Sequence, residues 1–460
     1  MSSKTAHFDI SERKVLLRIG DILVLFLSLM MAEKYLAFEY LSITSASFTG
    51  WFLVLAIYFL LFGEIFVLYN LKVSSNRYTV FRSLLITSFI STLMYVLSPY
   101  ITPSLPENRM QIGYFFLLIF VPVLLWRFVY IWAFFSPKYF KTIIVVGDAS
   151  SAEELIDLIQ VKNYHNIAAY VSNKEIERFG NFNEACTANL LTLVKENHVT
   201  EIVISTEGFS NDTIEHLNKQ LILLFEEGIN IKSFETYCEE VTNRVPKAYL
   251  DYNFYKQINF SKNNDNRLYH FCHRVLDILV ASIGLIVFGC FLPFVLFGNL
   301  LKNRGPLFYT QERIGYQGKI FKIFKLRSMV PNAEKEGAVW AQKNDVRITS
   351  FGKFLRNTRI DEFPQFYNIL KGEMSLIGPR PERPVFVHDL EEKIPFYAIR
   401  HVVRPGLTGW AQVKYPYASS LEEQETKLRY DLYYIKERNS FLDFKIFVKT
   451  ISTVLFLKGQ

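Results

Sequence analysis

Long apolar segments dominate the first third of the chain. Four of them lie at residues 15–36, 48–70, 80–100 and 111–135. Each is long enough to cross the hydrocarbon core of a bilayer as a helix, which takes about 20 residues. The first has no small-residue cleavage site, so we expect it to be an anchor and not a signal peptide. The pattern predicts a four-helix transmembrane domain over residues 1–140.

Basic residues mark one side of this bundle. They precede the first span, separate the second from the third, and follow the fourth: Arg13, Lys14, Arg18, Lys72, Arg77, Arg82, Lys138 and Lys141. Because loops rich in lysine and arginine stay in the cytosol, both ends of the bundle are expected there. The chain after residue 140 is therefore predicted to begin on the cytoplasmic side.

Three charged residues fall inside the spans or near their ends: Asp21, Glu64 and Arg127. Because charge is costly in hydrocarbon, they could mark a polar pathway through the bundle. They could also form structural pairs or extend to the interface. We favour the structural interpretation, since no span repeats a transporter-like charge pattern.

Strand and helix patterns alternate over residues 141–235. Strands are expected at 141–148, 167–171, 201–205 and 229–234, and helices around 184–197 and 211–227. This alternation is typical of a parallel, Rossmann-like α/β sheet. The turn after the first strand keeps Gly147 but lacks the further glycines of a dinucleotide-binding fingerprint, and Asp148 would repel a pyrophosphate. We expect a regulatory or dimerising module, and with it a homodimer.

A linker and a further apolar helix follow. The polar, Asn-rich and Tyr-rich stretch 236–265 is interpreted as the linker. The segment 266–301 is long enough to span a bilayer, but Pro293 would bend it. A fifth span would also carry the basic residues after 301 to the outside, against the positive-inside rule. We therefore favour a re-entrant membrane helix that bends at Pro293 over a simple crossing.

The composition narrows the classes of partner. A net charge of +7 over 460 residues is mild, whereas nucleic-acid-binding proteins normally carry a denser basic stripe. We expect no nucleic-acid partner and favour anionic lipid headgroups and phosphate substrates. The four cysteines form no CxxC pair, so neither a zinc site nor a redox motif is indicated.

Residues 302–460 are predicted to form a mixed, mainly helical domain on the cytoplasmic side. The segments 308–314 and 319–329 flank a glycine-containing turn and predict a hairpin. Lys325 and Arg327 are two positions apart on its second strand, so they would share one face. Two cations on one face suit a diphosphate, but a solvated or lipid-facing basic edge explains them equally well.

Asp361 and Glu362 come directly before Pro364, a good first-turn residue for a helix. The dipole of that helix, together with Arg356 and Arg359, favours ionised carboxylates. An ionised carboxylate can attack phosphorus, and Asp361 could hold a Mg²⁺ ion that neutralises phosphate oxygens. Acids placed at a helix start for stability are common, and taken alone the pattern favours that structural interpretation.

Two rigid turns follow the acidic pair. GPRPE at 378–382 presents Arg380, and RPGLTGW at 404–410 presents Arg404 and Trp410. Arginine suits bidentate contact with phosphate. Trp410 could stack on a base or anchor at the membrane interface. Ordinary loop chemistry is the alternative for each turn.

Five motifs in this order resemble those of a known family. They are an apolar helix with an internal proline, GPLFYTQERIGYQGKIFKIFKLRSM, LRNTRIDEFPQFYNIL, GEMSLIGPRPE and RPGLTGWAQV. Residues 265–460 resemble the monotopic polyprenol-phosphate phosphoglycosyltransferases, the bacterial sugar transferases that begin exopolysaccharide or O-antigen assembly. The four-span bundle with an α/β module is similar to the long-form members, the undecaprenyl-phosphate glucose or galactose phosphotransferases.

The resemblance implies a Mg²⁺-dependent hexose-1-phosphate transferase in the bacterial inner membrane. Its substrates would be UDP-hexose and undecaprenyl phosphate, and its catalytic domain would be residues 302–460. Asp361 would attack the sugar-bearing phosphorus and release UMP, while Glu362 would assist with protons or the metal. The phosphates would be held at basic motif positions: Lys325, Arg327, Arg356, Arg380 and Arg404. The family's Ser-Pro bend is replaced here by Leu292-Pro293.

Two other functions stay open at this point. A processive glycosyltransferase joined to a membrane bundle would transfer the sugar and release UDP. A non-catalytic scaffold or sensor of polysaccharide export would release no nucleotide and would not need Asp361.

Overall fold

The computed structural model of the chain divides into two compact units, Met1–Tyr237 and Cys238–Gln460. The structure describes residues 10–36, 38, 40–43, 45–70, 77–134, 141–149, 152–156, 165–176, 179–205, 208–250, 266–331, 333, 345–415 and 420–455.

The first unit opens with four long helices. They are α1 Ile10–Leu36, α2 Phe48–Ile65, α3 Arg77–Val96 and α4 Met110–Phe134. Helix α4 packs against α1 and α3, and α3 packs against α2. All four are long and apolar enough to cross a membrane. The four predicted apolar helices are therefore present, each within a few residues of its expected position.

Ion pairs tie these helices together. Arg127 of α4 donates to both carboxylate oxygens of Asp21 on α1, at 3.0 and 2.5 Å, and both side chains are buried. Arg18 of α1 donates to Glu64 of α2 at 2.8 Å. These contacts support the structural interpretation of the charged residues, since each buried charge has a partner of opposite sign.

A proline inside α4 leaves one backbone carbonyl without its usual donor. Pro122 has no N–H group, so Leu118 O cannot receive the hydrogen bond from four residues ahead. The hydroxyl of Ser28 on α1 lies 3.0 Å from Leu118 O and 2.9 Å from Leu25 O. Ser28 therefore supplies a hydrogen-bond donor to Leu118 O, which would find none in the hydrocarbon of a bilayer.

We expect Ser28→Ala to lower the stability of the protein by about 1 kcal/mol, because Leu118 O loses its donor. The thermal midpoint of the detergent-solubilised protein measures this loss. In a Pro122→Ala background the residue at 122 supplies its own N–H, so the loss should largely disappear. An equal loss in both backgrounds would contradict this assignment.

The rest of the first unit is a parallel α/β sheet. Its elements are β1 Lys141–Val146, β2 His165–Ser172, β3 Phe182–Glu184, α5 Leu190–Glu196, β4 Glu201–Ile204, α6 Asn211–Glu226 and β5 Asn230–Ser233. The strand order is β3-β2-β1-β4-β5, all pairs parallel. The Rossmann-like prediction matches this topology, and dimerisation or regulation through the sheet stays a prediction.

One predicted helix of the sheet region is too long. The expectation of a helix at 184–197 is wrong for its first residues, because Glu184 ends the edge strand β3 and a turn follows it at 185–187. Phe182 of this strand packs against Tyr170. The helix begins only after Asn189, whose side chain accepts from Thr192 N at 3.2 Å. An asparagine cap of this kind sets the helix start locally.

The second unit begins inside the predicted linker. Helix α7, Phe234–Thr242, follows β5 directly, and a 3₁₀ turn covers Lys247–Leu250. Val245 and Leu250 lie in the hydrophobic core of this unit, and Val245 exchanges hydrogen bonds with Arg429. The described part of the stretch up to residue 250 is therefore packed structure, because its aliphatic side chains are buried. Residues 251–265 lie outside the described residues.

Helix α8, Arg267–Lys302, contains Pro293 and is a fifth helix long and apolar enough to span a membrane. Only one narrow face of it is buried against the unit. Arg274 near its start donates to Ile369 O and Leu370 O at 2.7 and 2.8 Å. At its other end, Asn303 donates to Arg327 O at 2.7 Å. The helix is thus held to the same unit at both ends.

The remaining elements complete the second unit. They are β6 Phe308–Ile314, β7 Ile320–Leu326, α9 Ser350–Asn357, α10 Gln365–Lys371, β8 Ser375–Ile377, α11 Pro384–Lys393, β9 Gly406–Thr408, α12 Trp410–Lys414, α13 Leu421–Glu437 and α14 Ser440–Leu455, with 3₁₀ turns at Ile360–Glu362 and Tyr397–Val402. Strands β6 and β7 form the predicted antiparallel hairpin, and β8 pairs in parallel with β9. Helix α14 leaves Phe441, Phe444 and Phe447 exposed, as expected for an amphipathic surface helix.

Candidate active site

The acidic pair lies in a tight connection between two helices. Helix α9 ends at Asn357, and Arg359 adopts a left-handed conformation (φ 59°) that reverses the chain. Asp361 and Glu362 follow in a single 3₁₀ turn, and Pro364 precedes α10. The pair therefore sits just ahead of a helix start, as predicted. Asp361 is 7% exposed and Glu362 is 8% exposed, so both carboxylates are largely removed from water.

Glu362 is surrounded by cations. Its Oε1 accepts from Lys325 Nζ at 3.3 Å and from Arg380 Nη2 at 2.9 Å, and its Oε2 lies 3.6 Å from Arg359 Nη1. Burial alone would raise the pKa of this carboxyl, but the three cations together hold its pKa well below the usual range. Glu362 is therefore ionised at neutral pH, with both oxygens engaged.

Asp361 has a different environment although it is the adjacent residue. Its Oδ1 is buried and has no hydrogen-bond partner among the described residues. Burial and then the neighbouring charge of Glu362 raise the pKa of Asp361 to about 6, against the opposing effect of nearby cations. The two adjacent carboxyls therefore differ, because burial and the charge of Glu362 outweigh the nearby cations at Asp361. At neutral pH the group is still mostly ionised.

Three of the five predicted phosphate-binding cations lie beside the acidic pair. Lys325 and Arg380 contact Glu362 directly. Arg356, whose Nε donates to Ser328 Oγ at 2.8 Å, lies close enough to Asp361 to interact with its charge. Burial lowers the pKa of Lys325 to about 8, so this ammonium group can lose its charge in mildly basic solution.

The other two cations are placed differently. Arg327 lies just beyond β7 and donates to Pro306 O at 2.7 Å, to Met329 O at 3.3 Å and to Asn303 O. Through these carbonyl contacts Arg327 connects the segment after α8 with the segment after β7, which is a structural role. Arg404 is exposed, on the loop that leads into β9. The structure therefore does not place Arg327 with the acidic pair, although Arg327 was predicted to share one strand face with Lys325.

The two rigid turns pack directly against each other. Gly378 N donates to Thr408 O and Gly406 N donates to Pro379 O, both at 2.9 Å. A Cβ atom at Gly378 would collide with Arg404 O, and a Cβ atom at Gly406 would collide with Gly378 N. Glycine is required at these positions because the two backbones touch. This contact brings the Arg404 loop to the base of the Arg380 loop.

We expect Gly406→Ala to destabilise the second unit by about 1–3 kcal/mol and to lower activity, because the added methyl group separates the two turns. Thermal unfolding of the purified protein would measure the loss. Gly289→Ala is the matched control, since a Cβ atom there meets no atom within 4 Å. A Gly406→Ala protein as stable as the control would show that the two turns do not need this close approach.

Trp410 does not face a ligand or the membrane interface. Its side chain is 1% exposed, its Nε1 donates to Asn243 O at 2.9 Å, and its ring stacks on Tyr433. The prediction of a base-stacking or interfacial role is therefore wrong, because the indole fills the hydrophobic core.

Several charged residues behind the Arg380 turn were not singled out from the sequence. They are Arg313, Glu382, Arg400, Lys427 and Asp431, which form ion pairs with one another, and all of them except the half-buried Arg313 are buried. Glu382 ends the GPRPE turn but was given no role, and Arg400 and Asp431 carried no local signal. Their pairing depends on two segments that are distant in sequence.

Of the acidic pair, only Asp361 has an oxygen available to a magnesium ion. The described residues contain no group of three His, Cys, Asp or Glu side chains able to hold a metal. Mg²⁺ usually takes only one or two carboxylates and completes its shell with water and substrate phosphates. Asp361 fits this requirement through its unpartnered Oδ1, whereas the oxygens of Glu362 are already engaged by cations.

Comparison with known proteins adds independent evidence. Residues 268–457 match the family described as bacterial sugar transferase. A UDP-glucose:undecaprenyl-phosphate glucose-1-phosphate transferase from Caulobacter vibrioides is 36% identical over 184 residues, which cover 40% of this chain and 69% of that protein. The chain belongs to the bacterial sugar transferase family. The family and the transferase class expected from the five motifs are thereby confirmed.

Two further relatives match this sugar transferase over a smaller share of their own length. A UDP-N-acetylgalactosamine-undecaprenyl-phosphate N-acetylgalactosaminephosphotransferase from Aeromonas hydrophila is 46% identical over 188 residues, covering 41% of this chain and 44% of the relative. A UDP-glucose:undecaprenyl-phosphate glucose-1-phosphate transferase from Klebsiella pneumoniae is 39% identical over 180 residues, covering 39% of each chain. The chain spans less than half the length of these two relatives.

Proposed function

We propose that this sugar transferase moves a hexose-1-phosphate from a UDP-sugar to undecaprenyl phosphate and releases UMP, as the first membrane step in assembling an extracellular polysaccharide. The observation that carries the proposal is Asp361, whose Oδ1 is buried and unpartnered beside a cluster of cations. A free carboxylate oxygen facing positive charge can attack a phosphate that the same charges attract.

The first step forms a covalent intermediate. Oδ1 of Asp361 attacks the sugar-bearing phosphorus, a new O–P bond forms, and the bond between that phosphorus and the UMP oxygen breaks. The electron pair of the broken bond leaves with UMP. Lys325, Arg356 and Arg380 are placed to stabilise the negative charge that develops on the phosphate oxygens.

The second step returns the enzyme to its starting state. A phosphate oxygen of undecaprenyl phosphate attacks the same phosphorus, and the bond to Asp361 breaks with its electrons returning to the carboxylate. The product is a lipid-linked diphosphate sugar. The two steps balance without a net proton, so neither requires a strong general base.

Glu362 serves in this proposal as a fixed counter-ion. Its low pKa makes it a poor carrier of protons, while its two oxygens contact three cations. It thereby holds Lys325 and Arg380 in place before substrate arrives. Mg²⁺, for which Asp361 is the candidate ligand, would supply further neutralisation of phosphate charge.

Helix α8 supports a location at the cytoplasmic face. Along its length it packs on elements of one unit: Phe366 of α10 lies over Gly284, Phe288 contacts Phe363, and Phe351 of α9 lies over Gly298. A helix of 36 residues is about 54 Å long. A perpendicular crossing would draw these elements into the hydrocarbon. We therefore propose that α8 enters the inner membrane and returns to the cytoplasmic side, with its exposed apolar face in lipid.

The products released from UDP-sugars test the proposed reaction. The purified full chain is incubated with Mg²⁺, undecaprenyl phosphate and one UDP-sugar at a time, and nucleotide products are separated. We expect UMP. UDP release would instead support a processive glycosyltransferase, and no nucleotide release from any UDP-sugar would support a scaffold.

The panel should contain an N-acetylhexosamine as well as plain hexoses. The Aeromonas relative is named for N-acetylgalactosamine, and the Caulobacter and Klebsiella relatives are named for glucose. UDP-N-acetylgalactosamine, UDP-glucose and UDP-galactose therefore form the first set, and the sugar giving the largest kcat/KM for UMP release is the expected substrate.

A further inference from the structure

The backbone of the turn that presents Arg380 is held at every residue. Gly378 N and Pro379 O bond to the β9 segment, and Glu382 O accepts from Ile314 N at 2.9 Å. Pro381 O accepts from Arg313 at 3.1 Å. Two prolines also fix their own φ angles within these five residues. The turn therefore has little freedom of its own.

The carbonyl of Arg380 itself is held by a second arginine. Arg400 Nη2 donates to Arg380 O at 2.9 Å and to Asp431 Oδ2 at 2.8 Å. Arg400 is 3% exposed and Asp431 is 1% exposed. Arg400 also donates to the hydroxyl of Tyr397 through its other terminal nitrogen. One buried guanidinium group thus connects α13 to the backbone of the turn.

A buried ion pair of this kind is a poor way to gain stability alone. Removing two charges from water is costly, and apolar residues of the same size often stabilise a core as well or better. What a guanidinium group provides is fixed, directional donation to several acceptors at once. Here those acceptors are the carboxylate of Asp431 and the backbone of the residue that contacts Glu362.

We propose that the Arg400–Asp431 pair positions Arg380 for phosphoryl transfer. This inference rests on the proposed function. The pair does not touch the acidic residues; it acts by holding the Arg380 backbone, so that the side chain extends toward the phosphate from a fixed position. A displacement of about 1 Å in a group of this type is enough to lower a rate about 100-fold.

Arg400→Lys and Asp431→Asn test the inference in the full detergent-solubilised chain. The assay is UMP release from UDP-glucose or UDP-N-acetylgalactosamine, whichever the wild-type protein turns over. Lysine keeps the charge but cannot reach Arg380 O, Tyr397 and Asp431 together. We expect kcat to fall about 10- to 100-fold while KM changes by less than about threefold, since the other cations still bind the diphosphate.

A double-mutant cycle separates positioning from general destabilisation. In an Arg380→Ala background, Arg400→Lys should have little further effect on the residual kcat, because the group it positions is gone. Glu239→Gln is the matched control: it breaks the pair between the buried Glu239 and Lys436, and Lys436 lies on the same helix α13 as Asp431. Its kcat should change less than twofold.

The opposing outcomes are distinct. Additive losses in the cycle, or a loss for Arg400→Lys no greater than for Glu239→Gln, would overturn the positioning role alone. A wild-type protein that releases no UMP would overturn the proposed function and this inference with it. If Arg400→Lys fails to fold, the milder Asp431→Asn supplies the same cycle.

Discussion

Replacement of Asp361 by asparagine is expected to abolish the labelled phosphosugar–enzyme adduct and to lower UMP release on the order of 10³-fold or more. Asparagine keeps the shape of the side chain but lacks a nucleophilic carboxylate oxygen. The measurement uses UDP-hexose with a labelled sugar phosphate and no lipid acceptor, so that the first step stops at the intermediate. Radiolabel that migrates with the denatured protein reports the adduct.

The fold should survive this substitution. The pKa of Asp361 is raised to about 6, so the ionised form is disfavoured in the folded protein and costs stability above that pH. Asp361→Asn removes this cost, and its thermal midpoint at pH 8 should equal or exceed that of the wild type. Asp389→Asn, at an exposed position of α11, is the control and should keep full activity. An adduct that persists in Asp361→Asn would exclude Asp361 as the nucleophile.

The second large effect concerns Glu362 and the pH dependence of the reaction. In the wild type, kcat/KM for UMP release should fall below about pH 6, as Asp361 is protonated, and above about pH 8, as Lys325 loses its proton. The negative charge of Glu362 raises the pKa of both groups. Glu362→Gln should therefore lower both pKa values and move both limbs of the profile toward acid.

The same substitution should lower kcat about 100-fold at the optimum, because Lys325 and Arg380 lose the carboxylate that holds them. Profiles of kcat/KM between pH 5 and 9 measure both effects together. Glu392→Gln, which alters an exposed pair on α11, should leave the profile unchanged. A limb that stays in place, or moves toward base, in Glu362→Gln would show that Glu362 does not set the charge state of its neighbours.

Local patterns predicted much of what the structure contains. The apolar segments marked the helices of the bundle, because length and uniform hydropathy are properties of a continuous stretch. Pro364 marked the start of α10 and so placed Asp361 and Glu362 correctly. Two glycines marked the turn between β6 and β7. Each of these features depends on residues close together in the chain.

Features that depend on distant residues were missed or misjudged. Lys325 and Arg327 are two positions apart, so the sequence predicted that they share one face of a strand. Strand β7 ends at Leu326, however, and the guanidinium group of Arg327 donates to Pro306 O in the segment that follows α8. Trp410 was expected at a surface and is buried, because residues near 243 cover it. The stretch up to residue 250 looked polar enough for a linker, but a few aliphatic side chains in it complete the core.

The sequence by itself determined the membrane helices, the alternating sheet module and the five motifs that identify a bacterial sugar transferase, because these are encoded in spacing along the chain. Only the tertiary structure decided which carboxylate of the acidic pair is engaged by cations and which keeps a free oxygen. Asp361 and Glu362 are adjacent and look alike in sequence, but Glu362 faces Lys325 and Arg380, which come from the hairpin and the GPRPE turn. Those cations engage one carboxylate and leave the other buried with a free oxygen, and that asymmetry arises from contacts 37 and 18 residues apart in the chain.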